Sequence, residues 1–273
     1  MRTGKLGKRE LESMTDFAET LAREVGEIQK RCLGQSNRIE YKGVVDLVTQ
    51  VDHRCEAVIV GRIADRFPDH HIVAEESQYP QTGSAFQWYV DPLDGTTNYV
   101  HGYPCFSVSI GLAVEGEMLL GVVCDPMREE TFSGTKGEGA FLNGRRISVS
   151  KTQNLDHSLL ATGFPYDIRE SQENNIDCFT RFSLVSQGVR RDGSAALDLC
   201  YLAMGRFDGF WEMKLHPWDL AAGILMVMEA GGRVSDFEGE DFRLDSGEVL
   251  ATNGLIHDQM VSVLIESQIE KGG

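Results

Sequence analysis

The chain has 273 residues, 41% hydrophobic and 25% charged, an ordinary globular composition with room for one large domain or two smaller ones. A formal net charge of −16 argues against nonspecific binding to nucleic acid or to an anionic membrane surface. No apolar run reaches the roughly 20 residues that span a bilayer, and the start, MRTGKLGKRELE, lacks the apolar core of a signal peptide, so a cytoplasmic protein is expected.

After a short basic tail (1–10), Leu11, Met14, Ala18, Leu21, Val25, Ile28 and Cys32 recur at spacings of three and four. They predict a helix ended by Gly34 and packed on a sheet. Cys55, Val58, Ile59, Ile63 and Phe67 predict a second helix that stops at Pro68-Asp69, and the strand His71–Ala74 then delivers Glu75 and Glu76. Phe86, Trp88, Tyr89 and Val90 read as a buried strand that runs without a polar spacer into Asp91, the first residue of DPLDGTTNYVHG (91–102). These residue types build tight turns. Their place at the carboxyl end of a strand is also where open α/β sheets put ligands.

From Cys105 to Ser150 the pattern is an antiparallel meander, with turns at Glu115-Gly116 and Asn143-Gly144. The Gly-rich GTKGEGA (134–140) lacks the GxxxxGK[ST] order of a phosphate loop and reads as a β-turn. The second half alternates: strand 158–164, helix 171–186, strand 188–191, helix 194–204, strand 207–212, helix 219–230, strands 233–237 and 248–252, helix 254–269. No linker or repeat divides the chain, so a single domain over 1–273 is expected, with N-terminal helices and an antiparallel sheet in 11–150 and an α/β half in 151–273. The six cysteines form no CxxC pair and read as reduced core thiols, and the seven histidines show no metal spacing.

Carboxylates fall at element ends at Asp52, Glu75, Asp91 with Asp94, and Asp219. Mg²⁺ takes oxygen ligands and keeps several waters, so a few carboxylates plus a substrate phosphate suffice. Two ions about 3.5–4 Å apart clamp both oxygens of a displacement at phosphorus. In the 91–102 stretch Asp91 and Asp94 supply oxygens, the Leu93 carbonyl can turn inward, and Gly95 permits close backbone approach. The amides of Gly95 and Thr96 suit a phosphate. Spacing alone divides evenly between such a site and a structural Asx-type turn.

Three segments separate the two readings. Glu75-Glu76-Ser77, WYVDPLDGTTNYVHGYP (88–104) and HPWDLAAGILMVMEAGG (216–232) resemble, in order and separation, the motifs of the inositol monophosphatase family of Mg²⁺-dependent, lithium-sensitive phosphatases. The likeness extends through DLVTQVD (46–52), GTKGEGAFLNG (134–144) and RRDGSAALDLCYLAMGRFDGFWE (190–212), the bacterial members in particular. It implies a mixed α+β and α/β fold, a layered αβαβα sandwich of the inositol monophosphatase and fructose-1,6-bisphosphatase type, and a homodimer. It also implies two or three Mg²⁺ per subunit. Glu75, Asp91 and the Leu93 carbonyl would hold one, Asp91, Asp94 and Asp219 a second, and a weaker third would lie near Glu75. The catalytic group would be Glu75, Thr96 and Asp52, the first two orienting a cation-activated water and Asp52 accepting the Thr96 hydroxyl. Gly95 and Thr96 would bind phosphate, and Asp94, Ala195 and Glu212 the substrate's hydroxyls.

The expected substrate is a small phosphate ester, inositol monophosphate or a related sugar or polyol phosphate. Fructose 1,6-bisphosphate, histidinol phosphate and 3′-phosphoadenosine phosphate are alternatives with the same metal motifs. A mainly regulatory, protein-binding role is an alternative from another class, and a two-carboxylate glycosidase is disfavoured by the phosphate-suited backbone. Among flanking residues, Glu76 reads as a solvated neighbour, Trp218 as a core aromatic, residues 224–228 as packing, and His101 and His216 as structural. Arg190 and Arg191 read as partner-subunit or salt-bridge residues, with contact to the phosphate as the alternative. Lys214 stands where relatives often have a small residue and would favour a second negative group on the substrate.

Overall fold

The structure, a computed structural model, describes residues 6–35, 39–41 and 47–269. Helix α1 (Lys8–Cys32) starts inside the expected basic tail, and its stripe Met14, Ala18, Leu21, Val25, Ile28 is buried as the spacing requires. A short antiparallel pair that the sequence reading did not anticipate follows, β1 (Ile39–Tyr41) with β2 (Leu47–Thr49). It leads into α2 (Gln50–Arg66), which opens on a capping box between Thr49 and Asp52. Then come β3 (His71–Ala74), β4 (Phe86–Asp94), the five-residue α3 (Thr96–Val100), and the meander β5 (Ser107–Val114), β6 (Glu117–Asp125), β7 (Glu130–Thr135), β8 (Gly139–Leu142) and β9 (Arg145–Arg146). These seven strands form one sheet in chain order, with β3 parallel to β4 and the rest antiparallel.

The second half contributes β10 (Leu159–Thr162), α4 (Ile176–Val185), β11 (Gly188–Arg190), α5 (Ala195–Ala203), β12 (Gly209–Met213), α6 (Pro217–Glu229), β13 (Arg233–Ser235), β14 (Glu248–Thr252) and α7 (His257–Ile269). Its five strands lie in the order β11-β10-β12-β14-β13. Three boundaries differ from the sequence reading for local reasons. Helix α4 starts at 176 because Asn175 is held to Thr162, Gly163 and Trp211. Helix α6 starts two residues early because Pro217 fits the first turn, and α7 starts late because the Asn253 carboxamide accepts from the amides of Leu255 and Ile256.

Three apolar clusters divide the layers. Helices α1 and α2 pack on the outer face of the seven-stranded sheet against Trp88, Val90, Ile110 and Val122. Helices α5 and α6 fill the space between the sheets with Val123, Phe132 and Phe210, and α4 and α7 cover the far face of the second sheet against Trp211 and Leu250. The expected αβαβα layering is what forms. All six cysteines are free thiols, five of them buried. No helix among the described residues is long and apolar enough to cross a membrane.

The depth at which α6 lies on the large sheet is set by a row of glycines. Gly111, Gly121 and Gly134 stand side by side in register on β5, β6 and β7. A Cβ at Gly121 would lie 2.7 Å from the Ala222 carbonyl oxygen, and one at Gly111 would lie 3.0 Å from the Ala221 Cβ. At Gly121 backbone meets backbone, so no side chain can move aside. Gly121→Ala is expected to destabilise the fold by about 1–3 kcal/mol, read as a lower urea midpoint at unchanged m-value. An unshifted midpoint would show that α6 can ride higher on the sheet without loss.

Candidate active site

The stretch read from sequence as a turn is an interrupted strand. Trp88 and Val90 face the outer cluster, so alternation puts Asp91 on the opposite face, toward α6. Regular alternation would then point Asp94, three residues on, back toward α1. The register shows why it does not: Asp91 pairs with Ser109 and Asp94 with Ser107, so Pro92-Leu93 is a β-bulge carrying one extra residue. Leu93 consequently joins the outer cluster, and both aspartates emerge on the same face. The bulge is fixed from both sides. The Leu93 amide donates to Asp91 Oδ1 at 2.9 Å, and the buried Gln29 of α1 donates to the Pro92 carbonyl at 2.8 Å.

Gly95 ends the bulge with φ +95, and a Cβ there would meet the Cys105 carbonyl at 2.9 Å, so both torsion and space require glycine. The next residue, Thr96, places its hydroxyl 2.9 Å from Asp52 Oδ1 and 3.0 Å from the Leu93 carbonyl. The other oxygen of Asp52 accepts from the Thr49 amide and hydroxyl. Asp52 thus closes the N-terminus of α2 and anchors Thr96 with the same carboxyl group.

Two further helices start at the site. Asp94 Oδ2 accepts from the Ser194 hydroxyl and from the Ala196 amide at 2.9 Å, at the beginning of α5. Asp219 stands in the first turn of α6, where its carboxylate accepts from the His216 amide at 2.7 Å. The positive ends of the two helices favour the acids there. Asn98 joins the loops, donating to the carbonyls of Cys105 and Asp192 at 2.8 and 2.7 Å. Glu75, Asp91, the Leu93 backbone, Asp94, Gly95, Thr96, Ala195, Glu212 and Asp219 all line one pocket. Asp52 lies behind it, buried and in contact with Thr96.

The electrostatics of the pocket are those of crowded acids. Burial, then the charges of Glu75, Asp94 and Asp219, hold Asp91 well above the usual carboxylate range. Burial and then Glu75 and Asp94 do the same to Asp219. Asp94 is pushed up to about 6 by burial, against the opposing hydrogen bonds from Ser194 and Ala196, and burial also raises Asp52. No lysine, arginine or histidine charge is among the leading influences on Asp91 or Asp219. The donor set is hard oxygen throughout and no basic side chain leads in relieving the repulsion within it, which fits Mg²⁺. These acids are spread along the pocket. Among the described residues, the trio with oxygens all within 4.8 Å of one another is elsewhere, Asp236, Glu238 and Glu248.

Glu212, the penultimate residue of β12, lies on the same face as Phe210, and burial pushes its carboxyl up to about 8. Several expectations need correction here. Trp218 is a half-buried pocket wall stacked on His216, with ring centroids 4.7 Å apart, and not a core aromatic. Arg191, assigned from sequence to a partner contact or salt bridge, lines the pocket. Lys214 also lines it, with φ +60. Its ammonium is occupied by Asp167 at 2.6 Å and Ser171 at 3.0 Å, which ties the 167–171 segment to the site. Glu76 is half-buried, its amide donating to Glu56, and Met228 is exposed where packing was expected. Sequence reasoning passed over Gln29, Ser194 and Asp198. Of these only Ser194 carries a legible signal, an N-cap serine before an apolar helix.

Comparison with known proteins gives the same answer along the chain. The model of the Inositol monophosphatase family matches residues 10–269. The chain is 48% identical over 233 residues to the inositol-1-monophosphatase of Synechocystis sp., covering 85% of this chain and 81% of that one. It is 43% identical over 252 residues to the Nus factor SuhB of Pseudomonas aeruginosa, covering 89% and 92%. The solved structure of the inositol monophosphatase from Anabaena (Nostoc) sp. PCC 7120 superposes with a TM-score of 0.86 at 42% identity, covering 94% and 96%. With the motifs, the layered fold and these matches in agreement, the chain belongs to the inositol monophosphatase family and is a phosphatase.

Proposed function

We propose that the chain is a Mg²⁺-dependent phosphomonoesterase acting on inositol monophosphate or a closely related small polyol phosphate. The observation that carries the reading is the convergence of Glu75, Asp91, Asp94 and Asp219 on one pocket beside the Gly95-Thr96 backbone. The 48% identical Synechocystis relative is named for inositol 1-phosphate. Glu75, Asp91 and the Leu93 carbonyl would hold one Mg²⁺ and Asp91, Asp94 and Asp219 another, with a weaker third near Glu75. Bound Mg²⁺ supplies charge neutralisation at the phosphate and acidifies the attacking water. The chain's part is orientation. Asp52 accepts the hydrogen bond of the Thr96 hydroxyl, leaving the Thr96 lone pairs to accept from that water, while Glu75 fixes its direction. The Gly95 and Thr96 amides hold phosphate oxygens. Asp94, the Ala195 amide and Glu212 meet the hydroxyls of the leaving alcohol.

Glu212 owes its place to Gly163. A Cβ on Gly163 would lie 2.0 Å from Glu212 Oε1, so the carboxyl occupies the volume that any other residue would fill. Gly163 is in turn fixed by Asn175, which accepts from the Trp211 indole at 2.7 Å and donates to the Gly163 carbonyl at 2.6 Å.

A second reading, a mainly regulatory role through protein contacts, is favoured by the relatives named Nus factor SuhB. Full complementation of a deletion strain by a metal-site variant would assign the role to it.

Purified protein is expected to release phosphate from inositol 1-phosphate only with Mg²⁺, and Asp94→Asn to lower kcat by at least about 100-fold. Full turnover in excess chelator overturns the proposal, and a parallel panel of sugar, histidinol and nucleotide phosphates ranks the substrates. Gly163→Ala is expected to raise KM about tenfold by displacing Glu212, with folding stability changed by less than about 1 kcal/mol; an unchanged KM would detach Glu212 from binding. The third expectation concerns pH. The Glu212 carboxyl rises from 4.5 to about 8 on folding, so the folded state keeps a proton that the unfolded state releases. Its stabilisation is complete below pH 4.5 and is lost as pH rises through 8. In Mg²⁺-free protein, Glu212→Gln should remove a decline on the order of 3 kcal/mol between pH 5 and 8, measured by urea unfolding at each pH. Parallel stability profiles for the two proteins would show that Glu212 titrates normally.

A further inference from the structure

The pocket contains one polar group to which neither the metal set nor the contacts named so far give a task. Asp198 lies in the first turn of α5, is 1% exposed and lines the pocket wall with Glu212 and Arg191. Its Oδ1 is buried without a hydrogen-bond partner among the described residues. A buried carboxyl left unsatisfied is costly to the fold, and a ligand that completes it would recover that cost. Its surroundings restrict the ligand. Asp192, Glu212 and Asp94 are the leading negative influences and Arg191 the positive one, so an added anion would face three acids. Burial favours the neutral carboxyl, which offers one donor and acceptor oxygens together. An alcohol matches both.

We propose that Asp198 is a specificity-determining residue, hydrogen-bonding a hydroxyl of the substrate's ring and thereby selecting polyhydroxylated cyclic phosphates over phosphates of apolar alcohols. This rests on the phosphomonoesterase reading above. It assigns the α5 wall a second hydroxyl contact, separate from those of Asp94, Ala195 and Glu212, and it leaves phosphate binding at Gly95 and Thr96 untouched.

The test compares inositol 1-phosphate with cyclohexyl phosphate, the same ring without hydroxyls, using Mg²⁺-loaded enzyme. Wild-type turnover of inositol 1-phosphate establishes the phosphatase independently of Asp198, and its absence would count against the parent reading. Asp198→Ala is expected to raise KM for inositol 1-phosphate about five- to tenfold. Its kcat/KM on cyclohexyl phosphate and its inhibition by orthophosphate should stay within about twofold of wild type. Asp198→Asn, which still donates and accepts, should restore most of the preference. Asp198→Leu keeps the volume without the polar atoms and carries the same comparison if the alanine variant does not fold. An equal loss on both substrates would make Asp198 a structural residue, and an unchanged KM for inositol 1-phosphate would remove it from the substrate's path; either result overturns the assignment.

Discussion

Two side chains three residues apart on a regular strand point to opposite faces of the sheet. Every feature of the pocket depends on breaking that rule between Asp91 and Asp94. The extra residue at Pro92-Leu93 brings both carboxylates to the α6 side while Leu93 stays in the outer core. Proline is tolerated inside this strand because a bulge gives up ladder hydrogen bonds. The freed Pro92 carbonyl does not go unpaired, because Gln29 of α1 reaches it from beneath. The first helix of the chain therefore supports the geometry of a site more than sixty residues later.

Placing the acids on one face creates a second problem, their mutual repulsion, and the fold answers it without basic side chains. Asp94 receives the start of α5 and Asp219 the start of α6, so backbone amides and helix ends take up part of the charge. The remainder is left for a hard cation. Stability and affinity are then linked. Burial favours the protonated carboxyls, and the proposed Mg²⁺ would compete with protons for the same oxygens.

Much of this was legible in the sequence. The α1 stripe, the meander and the alternation of the second half follow from periodicity, and the pocket acids stand at element ends where a ligand can reach them. The bulge was not legible, because DPLDG has the composition of a turn whether or not the chain reverses, and only the pairing with Ser107 and Ser109 distinguishes the cases. The contacts of Arg191 and Lys214 were not legible for a related reason. A charged residue in a loop carries no periodicity, so its direction is decided by tertiary contacts such as those of Lys214 with Asp167 and Ser171. Gln29 and Asp198 were hidden inside helices, where a polar residue resembles a surface position until the facing element is known.

The glycine row under α6 bears on how members of such a family should be recognised. Asp219 rides on α6 while Asp91 and Asp94 belong to the sheet, so the gap between the two halves of the proposed metal set is a thickness, set along the row Gly111, Gly121 and Gly134. None of the three glycines appears on a roster of ligands. A homologue with every acid intact and a bulkier residue in this row would hold the right chemistry at the wrong spacing, so a count of conserved acids would overstate its competence.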